Sequence, residues 1–138
     1  MEKGEKYYLN ITRDETITEA ECNGNFDKVC YSTGNYYSDR TIAENNARAD
    51  ILFRKLRQWQ ALNDRAITKK DWEDRTQLKY CIIYGYGVEE LYVDCLYNAR
   101  WHNMVYFTTD EKAEEAIEVF RDELLWYFTE YQQRLDEE

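Results

Sequence analysis

Two stretches of this chain carry the same pattern of residue types, and any fold must accommodate both copies. At a constant spacing of 73 residues, the matching positions are Lys6-Tyr7, Leu9, Glu21-Cys22 and Asn25 against Lys79-Tyr80, Ile82, Asp94-Cys95 and Asn98. At a spacing of 70 residues, they are Tyr36-Tyr37, Ala43-Glu44 and Ala47 against Tyr106-Phe107, Ala113-Glu114 and Ile117. The sequence therefore predicts two copies of a strand-rich segment followed by a helix, with a shorter loop in the second copy.

Each copy is predicted to begin with a β-hairpin. Residue patterns favour strands at 6–12 and 16–22, and again at 79–84 and 91–95. A further strand is predicted to end at Tyr37 and at Phe107, and Gly85 and Gly87 are expected to supply the positive φ angles of the second hairpin turn. We therefore expect one α+β domain over residues 1–138, in which two helices pack on one face of an antiparallel sheet. Repeat 1 covers about 6–62, the connector about 63–77 and repeat 2 about 78–132.

Both predicted helices have start signals and one apolar face. Thr41 to Glu44 and Thr108 to Glu111 fit capping boxes, and Asp39 and Thr109 are alternative caps. The apolar faces are Ile42, Ala49, Leu52, Phe53, Leu56 and Trp59 in the first helix and Ala113, Ile117, Phe120, Leu124, Phe128 and Tyr131 in the second. In the charged connector, Trp72 is interpreted as an anchor.

Composition and charge narrow the class of protein. The chain has 13 tyrosines and a net charge of −10, with acidic residues concentrated in its last thirty positions. This balance argues against binding of duplex DNA and suits either a basic protein partner or simply solubility. Because no apolar run approaches the roughly 20 residues of a membrane span and no signal region follows Met1, we expect a cytoplasmic protein with no membrane contact and with reduced cysteines.

The sequence specifies no catalytic site, metal site or cofactor. Its four cysteines and one histidine have no zinc-binding spacing, and Cys22 and Cys95 are expected to be buried strand residues. His102 is the single histidine, and a loop or strand role is favoured for it over catalysis.

Five acidic residues on the second helix form the candidate partner-binding site. They are Glu111, Glu114, Glu115, Glu118 and Asp122. Their spacings of three, four and seven place them on one helix face, opposite the apolar face. Such carboxylates can present negative charge as a nucleic-acid backbone does, and the alternative is a solvated helix face favoured by the helix dipole.

Several segments resemble a family of small uncharacterised accessory proteins of phages and prophages. The first is Asp27 followed by Tyr31-Ser32-Thr33-Gly34-Asn35-Tyr36-Tyr37, which is similar to the family's D-x-x-R-Y-x-x-G-N-x-F run. The others are Asn63-Asp64, Trp72-Glu73-Asp74, Gln77 and Lys79-Tyr80 in the connector, and Val105 to Ile117, which resembles an I-Y-F-x-T-E-E-x-A-x-x-A-I segment. The resemblance implies a phage setting, where small acidic inhibitors of host defence are common, and implies no activity, cofactor or catalytic residue.

The function expected from these features is that of a phage-encoded accessory binding protein. It would inhibit a host defence protein, such as a CRISPR effector or another nuclease, through an acidic and tyrosine-rich surface in the host cytoplasm. The alternative is a self-associating scaffold protein, for example a homodimer with an aromatic interface. A small enzyme is the least favoured hypothesis.

Overall fold

The computed structural model describes residues 4–11, 15–20, 24–97, 99–102 and 104–131. In chain order the elements are β1 (Lys6–Ile11), β2 (Glu15–Ala20), α1 (Asn25–Ser32), α2 (Arg40–Asn63), α3 (Lys69–Glu73), β3 (Lys79–Gly85), β4 (Glu90–Leu96) and α4 (Asp110–Thr129). The predicted α+β class is therefore confirmed. The elements group into two compact units, one formed by the described residues up to Ile51 together with Tyr131, the other by Leu52–Glu130. A single domain over residues 1–138 stays a prediction.

In the first unit, the hairpin of β1 and β2 is extended by one reciprocal pair of backbone hydrogen bonds. The Tyr8 amide donates to the Tyr37 carbonyl over 2.6 Å, and the Tyr37 amide donates to the Tyr8 carbonyl over 2.8 Å. Two residues further along β1, the backbone of Asn10 bonds to the side chain of Asn35. The Asn10 amide donates to Asn35 Oδ1 and Asn35 Nδ2 donates to the Asn10 carbonyl, each over 2.6 Å. At Asn10 a side chain therefore stands where a third strand would supply backbone groups. The strand predicted to end at Tyr37 is reduced to the single bridge between Tyr8 and Tyr37.

Helix α1 was not predicted, and a buried acid explains why its pattern was missed. Asp27 is 5% exposed and accepts hydrogen bonds from the Tyr7 hydroxyl and from the Gly24 amide. Burial, together with the contact to Asp27, raises the pKa of Tyr7 above its usual range. Tyr7 also stacks on Tyr36, with ring centroids 4.1 Å apart. A core position held by a carboxylate gives no apolar periodicity for a sequence analysis to detect.

In the second unit, β3 and β4 pair so that Ile82 lies opposite Val93. Here too one bridge follows: the Tyr80 and Phe107 amides donate to each other's carbonyls over 2.9 and 2.8 Å. The unit's core consists of Leu52, Leu56, Ile82, Phe107, Ala113, Ala116, Ile117 and Leu124. Because Tyr37 and Phe107 contribute one bridge each, the described strands form two separate two-stranded sheets instead of one continuous sheet.

The turn between β3 and β4 departs from the expected glycine geometry. The residue with positive φ there is Glu89, at 55°, and not Gly85 or Gly87. Gly85 is needed for space instead, since a Cβ at this position would lie 2.9 Å from the ring of Tyr92.

Both long helices begin at the alternative caps, so the predicted capping boxes at Thr41 and Thr108 are wrong. The Asp39 carboxylate accepts from the Ile42 amide over 3.0 Å, and the Thr109 hydroxyl accepts from the Lys112 amide over 3.1 Å. The predicted apolar faces are confirmed in large part, since Ile42, Ala49, Leu52, Leu56, Ala113, Ile117 and Leu124 are buried. Helix α4 ends at Thr129, before the predicted end near residue 132.

The connector contains a short helix and is attached to a buried lysine of β3. Thr68 and Asp71 form a capping box at the start of α3, and Trp72 packs edge-on against Tyr106 with centroids 4.8 Å apart. Lys79 is 1% exposed, and its Nζ donates to the carbonyls of Asp74 and Tyr97 over 3.0 and 2.6 Å. These contacts attach the connector to the first residue of β3.

The cysteines differ from one another in exposure. Cys95 is exposed, so its predicted burial is wrong: it lies on β4, whose outer edge pairs with no described strand. Cys81 is buried, and burial raises the pKa of its thiol to about 11. Cys22, at the end of the second predicted strand, lies outside the described residues.

Replacing the α4 cap tests the observed helix start. We expect Thr109→Ala to lower the free energy of unfolding by about 1 kcal/mol, because the Lys112 amide loses its partner. Glu111→Gln, which removes the carboxylate of the rejected capping box, should cost less than about 0.5 kcal/mol through the helix dipole alone. Urea denaturation measures both values, and equal costs would contradict the assigned cap.

Replacing Lys79 tests the attachment of the connector. Lys79→Met keeps a similar volume but removes two hydrogen bonds, so we expect a loss of roughly 1–3 kcal/mol in the free energy of unfolding. The exposed neighbour Lys70→Met is the matched control and should stay within about 0.5 kcal/mol of the parent. A Lys79→Met protein as stable as the parent would mean that desolvation of the buried charge outweighs its hydrogen bonds.

Candidate functional site

The candidate site lies on α4, whose start is tied to the end of α2. Asp64, one residue past α2, accepts hydrogen bonds from the amide and the hydroxyl of Thr108, over 2.8 and 2.5 Å. Burial by itself would raise the pKa of Asp64, but the hydrogen bonds from Thr108, Arg65 and Gln60 together outweigh it and hold the pKa below its usual range. The first turn of α4 is thus fixed by a cap at Thr109 and by a carboxylate clamp at Thr108.

One face of α4 is buried throughout its length. Ala113, Ala116, Ile117 and Leu124 lie on this face and belong to the core, and α4 packs on both β3 and β4. Trp126 is also buried, but it lies about 200° around the helix from Leu124. The small residues Ala113 and Ala116 allow close approach of the helix to the hairpin. Because this face is in the core, the opposite face has a fixed orientation towards solvent.

The five predicted site residues all lie on that exposed face. Two of them are paired within the helix: Glu115 with Lys112 over 3.4 Å, and Glu118 with Arg121. Glu111, Glu114 and Asp122 form no ion pair with any residue that the structure describes. Exposed pairs of this kind contribute little and are readily exchanged, so the carboxylates remain accessible to a partner.

A kink divides the predicted acidic face. Phe120 has φ −113° and ψ 18°, outside helical geometry, and separates Asp122 from the other four acids. Glu111, Glu114, Glu115 and Glu118 therefore lie together on regular helix, and Asp122 lies beyond the bend. We define the acidic face as these four glutamates.

Exposed tyrosines are the second feature predicted for the surface. Tyr31 is 73% exposed, Tyr86 71%, Tyr97 58% and Tyr92 44%. Tyr86, Val88 and Tyr92 belong to the β3–β4 hairpin, and the Tyr86 hydroxyl donates to the Phe128 carbonyl over 2.7 Å. Tyr31 belongs to α1, in the other unit.

Two motif residues with structural roles escaped the sequence analysis. Asp27 and Asn35, both part of the segment that resembles the phage family, hold the first hairpin through Tyr7 and Asn10. The available sequence signal for helix α1 was Asp27, three residues before Cys30, and one acidic residue does not establish a helical pattern. These contacts give Asp27 and Asn35 a role in holding the fold together.

Within the described ranges, no group of three or more His, Cys, Asp or Glu side chains is arranged to hold a metal ion. None of the described helices is long and apolar enough to cross a membrane. His102 is exposed.

No family model matches this sequence, and no curated protein or solved structure is significantly similar to it. The resemblance to phage and prophage accessory proteins therefore stays a hypothesis.

The Asp64 clamp predicts a specific pH dependence of stability. Its folded pKa is below the unfolded value of about 3.9, so its contribution is complete above that pH and is lost as the pH falls through the folded pKa. We expect Asp64→Asn to cost roughly 1–3 kcal/mol at pH 7 and progressively less in acid. Urea denaturation between pH 7 and pH 3 measures this difference. The exposed Glu90→Gln is the control, and a cost for Asp64→Asn that did not shrink in acid would contradict the clamp.

Proposed function

We propose that this chain is a phage-encoded accessory binding protein that inhibits a host defence protein in the host cytoplasm. The observation that carries the proposal is the acidic face of α4, in which four exposed carboxylates project from a helix anchored by its buried side. Its orientation is set before binding, so little conformational entropy is lost on docking. A basic, nucleic-acid-handling protein has the complementary charge.

The spacing of the acidic face supports mimicry of a nucleic-acid strand. From Glu111 to Glu118 the helix rises about 10.5 Å, at 1.5 Å per residue. The three intervals between the carboxylates rise by about 4.5, 1.5 and 4.5 Å, and their mean of about 3.5 Å is close to the 3.4 Å per phosphate of a single DNA strand. The net charge of −10 adds long-range attraction to a basic groove.

The exposed hairpin favours a second candidate function, self-association. Tyr86, Val88 and Tyr92 form an exposed apolar patch on β3–β4, of the kind that marks interaction surfaces. Direct pairing of β4 edges is disfavoured, because the Asp94 carboxylate already accepts from the exposed Cys95 amide over 2.9 Å. A homodimer would therefore use the aromatic patch, with the acidic face as a solubilising surface.

Charge reversal tests the first proposal. The tagged protein is expressed in bacteria that carry several defence systems, and co-purifying proteins are identified by mass spectrometry at low and moderate salt. We expect one basic effector or nuclease to be retained, and Glu111, Glu114, Glu115 and Glu118 changed together to lysine to weaken its binding by at least about tenfold. The control reverses four exposed acids elsewhere, Glu5, Glu73, Glu90 and Glu130, and keeps the same net charge.

Equal loss of binding in both variants would show that net charge, and not the acidic face, drives association. Recovery of the protein alone, with a dimer in light scattering that Tyr86→Ser and Tyr92→Ser dissolve, would favour self-association instead.

A further inference from the structure

A cationic groove opens in the second unit, on a chain whose net charge is −10. The cavity has a volume of about 610 Å³ and is bordered by α2, α3 and the segment that follows β4. Arg57 and Gln60 come from α2, Lys69 and Trp72 from α3, and Arg100 and Tyr106 from the segment after β4. Side chains distant in sequence therefore converge on one space.

The charge of the groove has a single sign. Three of its described lining residues, Arg57, Lys69 and Arg100, are cationic, and none is acidic. Arg57 and Arg100 form no ion pair with a described residue, and Lys69 lies 3.9 Å from Glu73 in an exposed pair that contributes little. The chain thus gathers uncompensated positive charge in one concave site, which focuses the field on a small anion.

Trp72 provides an aromatic wall with a cation near its ring. The Arg100 guanidinium carbon lies 5.4 Å from the ring centroid, and the Lys79 ammonium lies at the same distance. Lys79 is buried and is not part of the groove, whereas Arg100 is exposed and lines it. The edge contact with Tyr106 fixes the orientation of the Trp72 ring. Arg100 and Trp72 together present a flat, polarisable surface on which another planar ring can stack.

We propose that this groove binds a nucleoside phosphate. The base stacks on the Arg100–Trp72 surface, and the phosphate is held by Arg57 and Lys69. Gln60 shapes the wall of the groove, where its side-chain amide donates to the Arg65 carbonyl over 2.9 Å. Arginine suits this role because its planar fork both stacks on rings and binds phosphate oxygens in pairs. The volume is within the range of small-ligand sites, roughly 300–1,000 Å³.

The charge distribution favours a short nucleotide over a nucleic-acid strand. A strand that left the groove would meet a chain with ten excess negative charges, which repels phosphates. A mononucleotide places its phosphate only on Arg57 and Lys69. This ligand is unrelated to the acidic face, so the inference stands or fails independently of the proposed function.

Isothermal titration calorimetry of the full chain tests the site, with AMP and ATP as ligands. We expect a Kd below about 1 mM for at least one of them, and weaker binding of adenosine and of inorganic phosphate, each of which makes half of the contacts. Arg57→Ala, Lys69→Ala and Arg100→Ala should each weaken nucleotide binding by about tenfold.

The chain offers matched controls for two of these variants. Arg54 is exposed on the same helix as Arg57, and Lys70 follows Lys69, but neither lines the groove. Arg54→Ala and Lys70→Ala should bind nucleotide as the parent does, and circular dichroism should show all five variants folded, since all five positions are exposed.

Four results would overturn the inference. They are no nucleotide binding, equal losses in the groove and control variants, binding of inorganic phosphate as tight as that of AMP, and binding of a single-stranded oligonucleotide that is tighter than ATP and falls steeply with salt. The last result would assign the groove to a strand instead.

Discussion

The second unit depends on the reciprocal backbone hydrogen bonds between Tyr80 and Phe107. A two-stranded hairpin is marginally stable by itself, and this bridge joins β3–β4 to the segment that leads into α4. Phe107 is completely buried in the core and contacts the ring of Trp59, with centroids 5.9 Å apart. Immediately after it, Thr108 is clamped by Asp64 and Thr109 caps α4. Before it in the chain, Arg100, Met104, Val105 and Tyr106 line one wall of the cationic groove.

Two surfaces of opposite charge follow from this arrangement. Downstream of the bridge, α4 buries its alanine-rich face on the hairpin and presents four glutamates to solvent. Upstream, Arg100 and Tyr106 meet α2 and α3 around Trp72. Acidic side chains outnumber basic ones on the helix, and the described lining of the groove has three cations and no acid, so each surface selects a different kind of partner: a basic protein for the helix and a small anion for the groove.

Regular residue patterns allowed good prediction from the sequence, and local exceptions to them did not. Hairpins and helix faces follow from periodicity, and the exposure of Glu111 to Glu118 followed from the same rule. The caps, the kink at Phe120 and the groove depend on contacts between distant residues, such as Asp64 with Thr108, that leave no periodic trace. The internal repeat stays a hypothesis. In the two bridges, Tyr37 and Phe107 are equivalent and lie 70 residues apart, as predicted. Tyr8 and Tyr80 are also equivalent, but they lie 72 residues apart and not the predicted 73. This spacing aligns buried Tyr7 with buried Lys79.

Hydrogen exchange followed by nuclear magnetic resonance tests the central role of the bridge most directly. We expect the Tyr80 and Phe107 amides to exchange among the slowest in the second unit, because their opening requires unfolding of the core. The Cys95 amide, on the exposed β4 edge and bonded only to the adjacent Asp94 carboxylate, should exchange fast. If Phe107 exchanged as fast as Cys95, the bridge would open locally, and it would hold neither α4 nor the groove in place.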